Sequence, residues 1–267
     1  MVKKVFFWFI AVVITLSVAI YQRLTGPTYP YKGKVLIDGK TIEFKLPRSI
    51  EIGSYTKIVV PYLNNYKAFI SYKRYKTNDS LTVAELNKEQ DNYFIILPDL
   101  PPAGKYTYSV FYSNENKTIF LNEKDIIVRY KGKVPSVILI LHILFMFVAM
   151  VFSNYTGIIS LLKSDASYKW ALVSVITLII GGFILGPLMQ KYAFNVYWSG
   201  FPFGYDLTDN KTLISFLLWL IAIIFYRKNK NTKWFLIASI LTLTVYLIPH
   251  SIYGSELDFS TGQIKHG

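Results

Sequence analysis

The hydrophobic pattern changes twice along the chain. Continuous apolar residues fill 5–21 and recur from 136 to 250, whereas apolar and polar residues alternate between about 22 and 135. Because about 20 apolar helical residues cross the hydrocarbon core of a bilayer, the apolar regions predict membrane spans. The pattern predicts five of them, over 5–21, 136–162, 170–189, 213–226 and 234–248.

The first span predicts a transmembrane signal anchor over 1–22. Lys3 and Lys4 precede it, as in the basic start of a secretory signal. Its apolar run is longer than the roughly 7–15 residues of a signal-peptide core, which favours an uncleaved anchor. Ser17-Val18-Ala19 resembles a cleavage site, so a cleaved signal peptide is the alternative.

The short segments between the spans carry positive charge asymmetrically. Eight Lys and Arg residues fall on one side of the predicted spans and three on the other. Since excess positive charge stays cytoplasmic, the sequence predicts a cytoplasmic N-terminus, with the alternating region, the 190–212 loop and the C-terminus outside. The eight are Lys3, Lys4, Lys163, Lys169, Arg227, Lys228, Lys230 and Lys233, and the three are Lys191, Lys211 and Lys265.

The alternating region predicts an all-β domain outside the membrane. Alternation is clearest over 105–112, where Tyr106, Tyr108, Val110 and Tyr112 share one face. Turn signals such as Asp38-Gly39 separate short strands, a spacing typical of a β-sandwich. The predicted strands are 34–38, 41–46, 57–61, 68–75, 81–86, 93–97, 105–112, 117–121 and 125–129.

One segment indicates the type of sandwich. The sequence Leu-Pro-Pro-Ala-Gly-Lys-Tyr-Thr-Tyr at 100–108 resembles the turn into a late strand of immunoglobulin-like or fibronectin type III modules, where a tyrosine closes the corner. This resemblance implies a fold and no activity. The predicted organisation is a transmembrane signal anchor at 1–22, an extracytoplasmic β-sandwich of this type at 23–134, a four-helix transmembrane domain at 135–250 with an outer loop at 190–212, and an extracytoplasmic tail at 251–267.

The composition excludes several kinds of chemistry. The 267-residue chain has no cysteine, which excludes disulfides, thiolate metal sites, covalent c-type haem and cysteine nucleophiles. Its formal net charge of +13 is explained by Lys and Arg that set membrane orientation, and we expect no nucleic-acid partner because no basic helix or RNP-like strand is present. The common hydrolase, zinc-protease, P-loop and Rossmann motifs are also missing from the sequence.

Two histidines fall in or beside the predicted spans. His142 lies about two turns into the second span from its outer end, and His250 lies at the outer end of the fifth, so their depths match. Met146 shares the helix face of His142. Paired histidines suit b-type haem, and histidine with methionine suits haem iron or copper. The alternative is that Met146 fills the core and His142 bonds a neighbouring helix.

The predicted outer loop combines aromatic and oxygen-bearing side chains. Seven aromatics between Tyr192 and Tyr205 suit the headgroup level of a bilayer. Four acids on the same predicted side could bind a hard cation. The alternative is that Thr208 or Asp209 caps the following helix. The four candidate metal ligands are Asp206, Asp209, Glu256 and Asp258.

The end of the third span carries small residues and a proline. Gly182 and Gly186 form a G-x-x-x-G pair, which predicts close approach of another helix. Pro187 follows and predicts a bend or an end of the helix at this point.

We interpret the chain first as an integral membrane subunit or assembly protein of the cell envelope. Its partners would be the bilayer and an envelope protein bound by the sandwich, and its cofactor would be haem b or a metal ion held by His142, His250 and Met146. One alternative is a b-type haem electron-transfer protein. The other is an interfacial enzyme that uses Asp206, Asp209 and His250 on a lipid or envelope polymer, although no catalytic motif supports an enzyme.

Overall fold

The chain divides into two compact units. The computed structural model describes residues 2–249 and 254–265. The helical unit includes Met1–Pro27 and Val134–Ser255, and the β unit consists of Thr28–Lys133 and Glu256–Lys265.

The helical unit is built from apolar helices. Among the described residues, four helices are long and apolar enough to cross a membrane: α1, α2, the continuous helix Ala166–Phe194, and α5. α6 is apolar but shorter. The elements are α1 Val2–Thr25, α2 Ser136–Ser160, α3 Ala166–Leu178, a π-helical segment Ile179–Leu185, α4 Gly186–Phe194, α5 Leu207–Asn229 and α6 Lys233–Leu247.

The third helix is longer than the predicted span 170–189, because it runs without interruption from Ala166 through Pro187 to Phe194. In the π segment the Gly186 N–H donates to the carbonyl of Gly181, five residues back, and this wider turn precedes the proline. Pro187 then lies in the first turn of α4, where a missing N–H is tolerated. Because this helix ends at Phe194 and α5 begins at Leu207, earlier than the predicted 213, the outer loop predicted over 190–212 shrinks to the residues between Phe194 and Leu207.

Two adjacent glycines allow the π segment to pack closely. A Cβ added at Gly182 would overlap Cγ2 of Thr212 on α5, and one at Gly181 would lie 2.9 Å from Sδ of Met146 on α2. A Cβ at Gly186 would meet only ordinary contacts, at 3.6 Å and beyond. The close approach therefore uses Gly181 and Gly182, and the predicted pairing of Gly182 with Gly186 is wrong in this respect.

α2 is the central helix of the unit and packs against α1, α3 and α6. Small and hydroxyl-bearing side chains fill these contacts, as is usual where apolar burial alone cannot drive helix association in lipid. Asn154 donates through Nδ2 to Oγ1 of Thr15 on α1 at 3.0 Å. Thr232 Oγ1, at the start of α6, donates to the carbonyl of Ser160 at the end of α2, also at 3.0 Å.

The β unit contains all nine predicted strands, eight of them with shifted ends and the strand 57–61 with the predicted bounds. Four very short strands were not predicted, because two or three residues show no alternation. The strands are β1 Tyr31–Ile37, β2 Lys40–Leu46, β3 Ser49–Glu51, β4 Lys57–Pro61, β5 Lys67–Arg74, β6 Thr82–Glu85, β7 Asn87–Glu89, β8 Asn92–Ile96, β9 Lys105–Ser113, β10 Thr118–Phe120, β11 Ile126–Lys131, β12 Glu256–Leu257 and β13 Ile264–Lys265.

The strands form a six-stranded sheet and three smaller sheets. The large sheet has the order β3-β11-β9-β5-β6, with β10 also paired to β9. β11 and β3 are parallel, and the other pairs in this sheet are antiparallel. The smaller sheets are β4-β8-β7, β1-β2 and β12-β13. Side chains from the large sheet, β1-β2 and β4-β8-β7 share one hydrophobic core.

Tyrosines dominate this core, and the predicted inward face of β9 is confirmed. Tyr106, Tyr108, Val110 and Tyr112 are all buried. The Tyr108 hydroxyl donates to the Pro47 carbonyl at 2.7 Å, so its polar end is satisfied. Burial raises the pKa of Tyr108 and Tyr112 well above its usual range.

The C-terminal segment pairs with itself and belongs to the β unit, which the prediction of a separate tail did not include. Leu257 N donates to the Ala103 carbonyl at 3.1 Å. Glu256 accepts from Lys105 at 2.7 Å and Lys76 at 3.0 Å. Burial alone would raise the pKa of Glu256, but these two lysines outweigh it and hold that pKa below its usual value. Burial lowers the pKa of Lys105, and Glu256 offsets only part of that effect.

A pair of glycine substitutions tests which residues set the helix spacing. We expect Gly182→Ala to destabilise the helical unit by about 1–3 kcal/mol, because the added methyl group overpacks the contact with Thr212. Gly186→Ala is the matched control and should change stability little. Thermal unfolding of the detergent-solubilised full chain measures both. Equal losses from the two variants would restore the G-x-x-x-G interpretation.

Candidate functional site

The short loop between Phe194 and Leu207 has a buried root and an exposed end. Ser199 and Gly200 are buried at the root. The N–H groups of Phe203 and Gly204 both donate to the Gly200 carbonyl, at 2.9 Å and 3.0 Å, and fold the loop into a tight turn.

Asp209 and Asn210, in the first turn of α5, fix this root. Asp209 accepts from Ser199 N at 2.6 Å and from Gln190 Nε2, and Asn210 Oδ1 accepts from Phe201 N at 2.7 Å. A Cβ at Gly200 would lie 2.7 Å from the Asp209 Cβ, so only glycine fits against this helix start. The two side chains therefore supply acceptors to the loop backbone.

Asp206 caps α5, which corrects the prediction that Thr208 or Asp209 does so. Its Oδ1 accepts from Thr208 N at 2.8 Å, and its Oδ2 accepts from Ser255 N at 3.1 Å. An acidic N-cap suits the positive end of the helix. Asp206 thus joins the start of α5 to Ser255 within the helical unit.

Lys211 is a buried lysine whose side chain donates a hydrogen bond at the end of α6. It is only 2% exposed, and its Nζ donates to the Ile248 carbonyl at 2.5 Å. Gln22 on α1 donates to the Tyr246 carbonyl beside it. Both side chains satisfy carbonyl groups at the end of α6, which have no partner inside their own helix. A cation at this end also suits the negative end of the helix.

The four predicted metal ligands have different hydrogen-bond and ion-pair partners. Asp206 and Asp209 lie at the loop root, where each carboxylate oxygen accepts a hydrogen bond. Glu256 and Asp258 belong to the β unit, where Asp258 contacts Lys265 at 2.7 Å. Across residues 2–249 and 254–265, no group of three or more His, Asp or Glu side chains is arranged to hold a metal ion.

The predicted haem ligands have structural contacts of their own. His142 Nδ1 lies 2.9 Å from the Gly181 carbonyl of the π segment, so Nδ1 carries the proton and Nε2 is the remaining ligand atom. Met146 packs its sulfur against Gly181 and Gly182, as the core-filling interpretation requires. His250 lies outside the described residues. The haem site stays a prediction that rests on His142.

Sequence reasoning missed Gln190, Ser199 and Ser255. Ser255 Oγ donates to Ser199 Oγ at 3.0 Å, and Ser199 Oγ donates to Gln190 Oε1 at 3.3 Å. These residues come from three separate parts of the chain, and no motif links them. The only local signal was the cluster of Asp206, Asp209 and Asn210, whose partners the sequence does not identify.

The exposed end of the loop consists of aromatic side chains. Phe201, Phe203 and Tyr205, here called the aromatic tip, are 66%, 73% and 78% exposed. Trp198 supports the tip from behind: it stacks on Phe183 with a centroid distance of 5.5 Å, and its Nε1 donates to the Phe201 carbonyl. A hydrogen-bonded root thus presents three apolar rings outward.

Comparison with known proteins does not identify a relative. No protein-family model matches the chain, and neither a curated protein nor a solved structure matches it.

Replacing Asp209 tests whether it fixes the loop. Asp209→Asn removes the negative charge that strengthens both bonds and replaces one acceptor oxygen by an N–H₂ group. Loss of one hydrogen bond to a charged group costs about 1.5–3 kcal/mol. We expect chymotrypsin to cleave after Phe203 or Tyr205 severalfold faster than in the wild type. Asp165→Asn, at an exposed position, is the control; equal cleavage rates in both variants and the wild type would contradict a role for Asp209.

Proposed function

We propose that the chain is an integral membrane protein of the cell envelope whose β unit binds a protein partner outside the membrane. In this proposal α1, α2, Ala166–Phe194, α5 and α6 are five spans, and the N-terminus is cytoplasmic. The apolar helices and the positive charges of the short segments support this topology. The β unit would be an immunoglobulin-like or fibronectin-III-like sandwich.

The observation that carries the proposal is a row of aromatic side chains on the outer face of the large sheet. Phe69 on β5 pairs with Phe111 on β9, and Phe111 pairs with Phe120 on β10. The ring centroids are 5.5 Å and 5.0 Å apart. Outward positions of a sheet that faces only water are normally polar. We call Phe69, Phe111 and Phe120 the phenylalanine row.

The row continues to the edge strand β6. Phe69 pairs with Glu85 on this strand, and Ser71 pairs with Val83. Val83 and the preceding Leu81 are exposed. An aromatic row beside an edge strand offers a partner both an apolar surface and backbone hydrogen bonds, which is how sheet edges recognise extended segments.

A groove of about 650 Å³ adjoins the row at Phe69. Its walls come from the ends of β5 and β9 and include Asn64, Asn65 and Asn116. These amides offer both donors and acceptors at the rim of the apolar surface, the arrangement usual in protein interfaces.

The loop root supports a binding protein more than an interfacial enzyme. A catalytic carboxylate must exchange protons with or attack a substrate. Asp206 and Asp209 are instead buried, and each of their oxygens accepts a hydrogen bond that holds the loop or the start of α5.

A photo-crosslinking residue tests partner binding at the row. We expect benzoylphenylalanine at Phe120, in the full chain in its native membrane, to form one discrete adduct, because this ring lies exposed at the row's end. The matched control places it at Tyr55, an exposed ring on a turn of the β unit. Phe111→Ser should reduce the Phe120 adduct by about fivefold, roughly 1 kcal/mol. Equal adducts at Tyr55 and Phe120, or none at Phe120, would overturn the proposal.

A b-type haem protein is the second candidate. The bond from His142 Nδ1 to the Gly181 carbonyl fixes the ring and leaves Nε2 for a metal, a common arrangement of ligating histidines. On this proposal the full chain, purified after haem supply, shows a Soret band that His142→Ala removes. His266→Ala, which changes the third histidine of the chain, is the control. A colourless wild-type protein would overturn the haem proposal.

A further inference from the structure

We propose that the aromatic tip is a preformed membrane anchor, with Phe201, Phe203 and Tyr205 inserted at the boundary between the headgroups and acyl chains of the outer leaflet. This inference rests on the membrane insertion of the proposed function. In this proposal the exposed rings contact lipid, and the buried loop root holds them in place.

The structure holds these rings outward. In water, apolar side chains on a flexible loop would turn towards the protein to bury their surface. Here Ser199 N and Phe201 N are bound by Asp209 and Asn210, and the turn closes on the Gly200 carbonyl. These bonds fix the backbone on both sides of Phe201, so the exposure of the tip is built into the fold.

The tip lies close along the chain to the ends of two apolar helices. It lies between Phe194, where a span-length helix ends, and Leu207, where the next one begins. Tyr205 is two residues from α5, and an extended residue advances at most about 3.6 Å. The interfacial layer on each side of a bilayer is about 5–8 Å thick. Two helices that cross the hydrocarbon therefore keep the tip at or close to the interfacial layer.

The two helices that the loop connects also expose apolar side chains. Ile184, on the π segment, and Ile214 and Leu217, on α5, are exposed apolar side chains of the two helices that the loop connects. Lipid tails cover such side chains in a membrane. A lipid surface thus accounts for both the tip and these helix faces, whereas a protein partner at the tip alone would leave the helix faces unexplained.

The chemistry of the tip suits this level of the bilayer. Aromatic rings concentrate at the interface, where the ring is apolar and the tyrosine hydroxyl can reach water. Lys191 lies in the last turn of α4, before the loop, with its Nζ 5.2 Å from the centre of the Tyr197 ring and 2.8 Å from Asn195 Oδ1. Its charge is suited to the phosphate groups of lipids.

Site-directed spin labelling tests the proposal on the full chain. The sequence has no cysteine, so single cysteines at Phe201, Phe203 or Tyr205 take one nitroxide each. The chain is reconstituted in phosphatidylcholine–phosphatidylglycerol bilayers. Collision of each label with oxygen, which concentrates in the hydrocarbon, is compared with collision with a polar nickel chelate. Ile214→Cys is the lipid-facing reference, and Tyr55→Cys on the β unit is the exposed reference.

We expect oxygen to exceed the nickel chelate at the tip labels, as at 214, and the ratio to reverse at 55. Tip labels that resemble position 55 would overturn the anchor, while position 214 would still support membrane insertion. A label at 214 that resembles position 55 would instead overturn the proposed topology. Tip labels that are immobilised and reached by neither reagent would indicate a protein contact and also overturn the anchor. In Asp209→Asn, the label at 203 should become more mobile if the anchor is preformed.

Discussion

The helical unit depends on the hydrogen bonds that two buried carboxylates accept. An ionised carboxylate taken out of water is tolerated only where its oxygens accept hydrogen bonds. Asp209 accepts from Ser199 and Gln190, and Asp206 accepts from Thr208 and Ser255. Because Gln190 lies on α4, Ser199 in the loop and Ser255 in the segment after α6, the two acids fix three parts of the chain relative to the start of α5.

The same requirement explains other polar side chains in this unit. Lys211 donates a hydrogen bond to the carbonyl of Ile248, Gln22 to that of Tyr246, and His142 to that of Gly181. Each pairs a side chain of one helix with a backbone carbonyl at the end of another helix or in the widened π turn. In a water-poor interior an unpaired carbonyl is costly, so residues that look catalytic in the sequence can hold helix ends instead.

In the β unit, buried tyrosines also need hydrogen-bond partners for their polar ends. Tyr108 and Tyr112 bury their rings in the core, and their hydroxyl groups donate to the carbonyls of Pro47 and Pro61. The inward face of β9 is therefore apolar, and the hydroxyl groups of these two tyrosines are hydrogen-bonded. On the opposite face, Phe111 has no polar end and packs against Phe69 and Phe120 on the adjacent strands.

The sequence by itself determined the approximate position of the apolar helices and of nine of the strands, because length, apolar runs and alternation are local properties of the chain. It also located Asp206 and Asp209 as unusual acids. Only the tertiary structure decided that Asp206 caps α5, that Gly181 rather than Gly186 shares the close contact with Gly182, and that the tail pairs within the β unit. Those outcomes depend on which distant donors and surfaces meet, and no local periodicity records such long-range contacts.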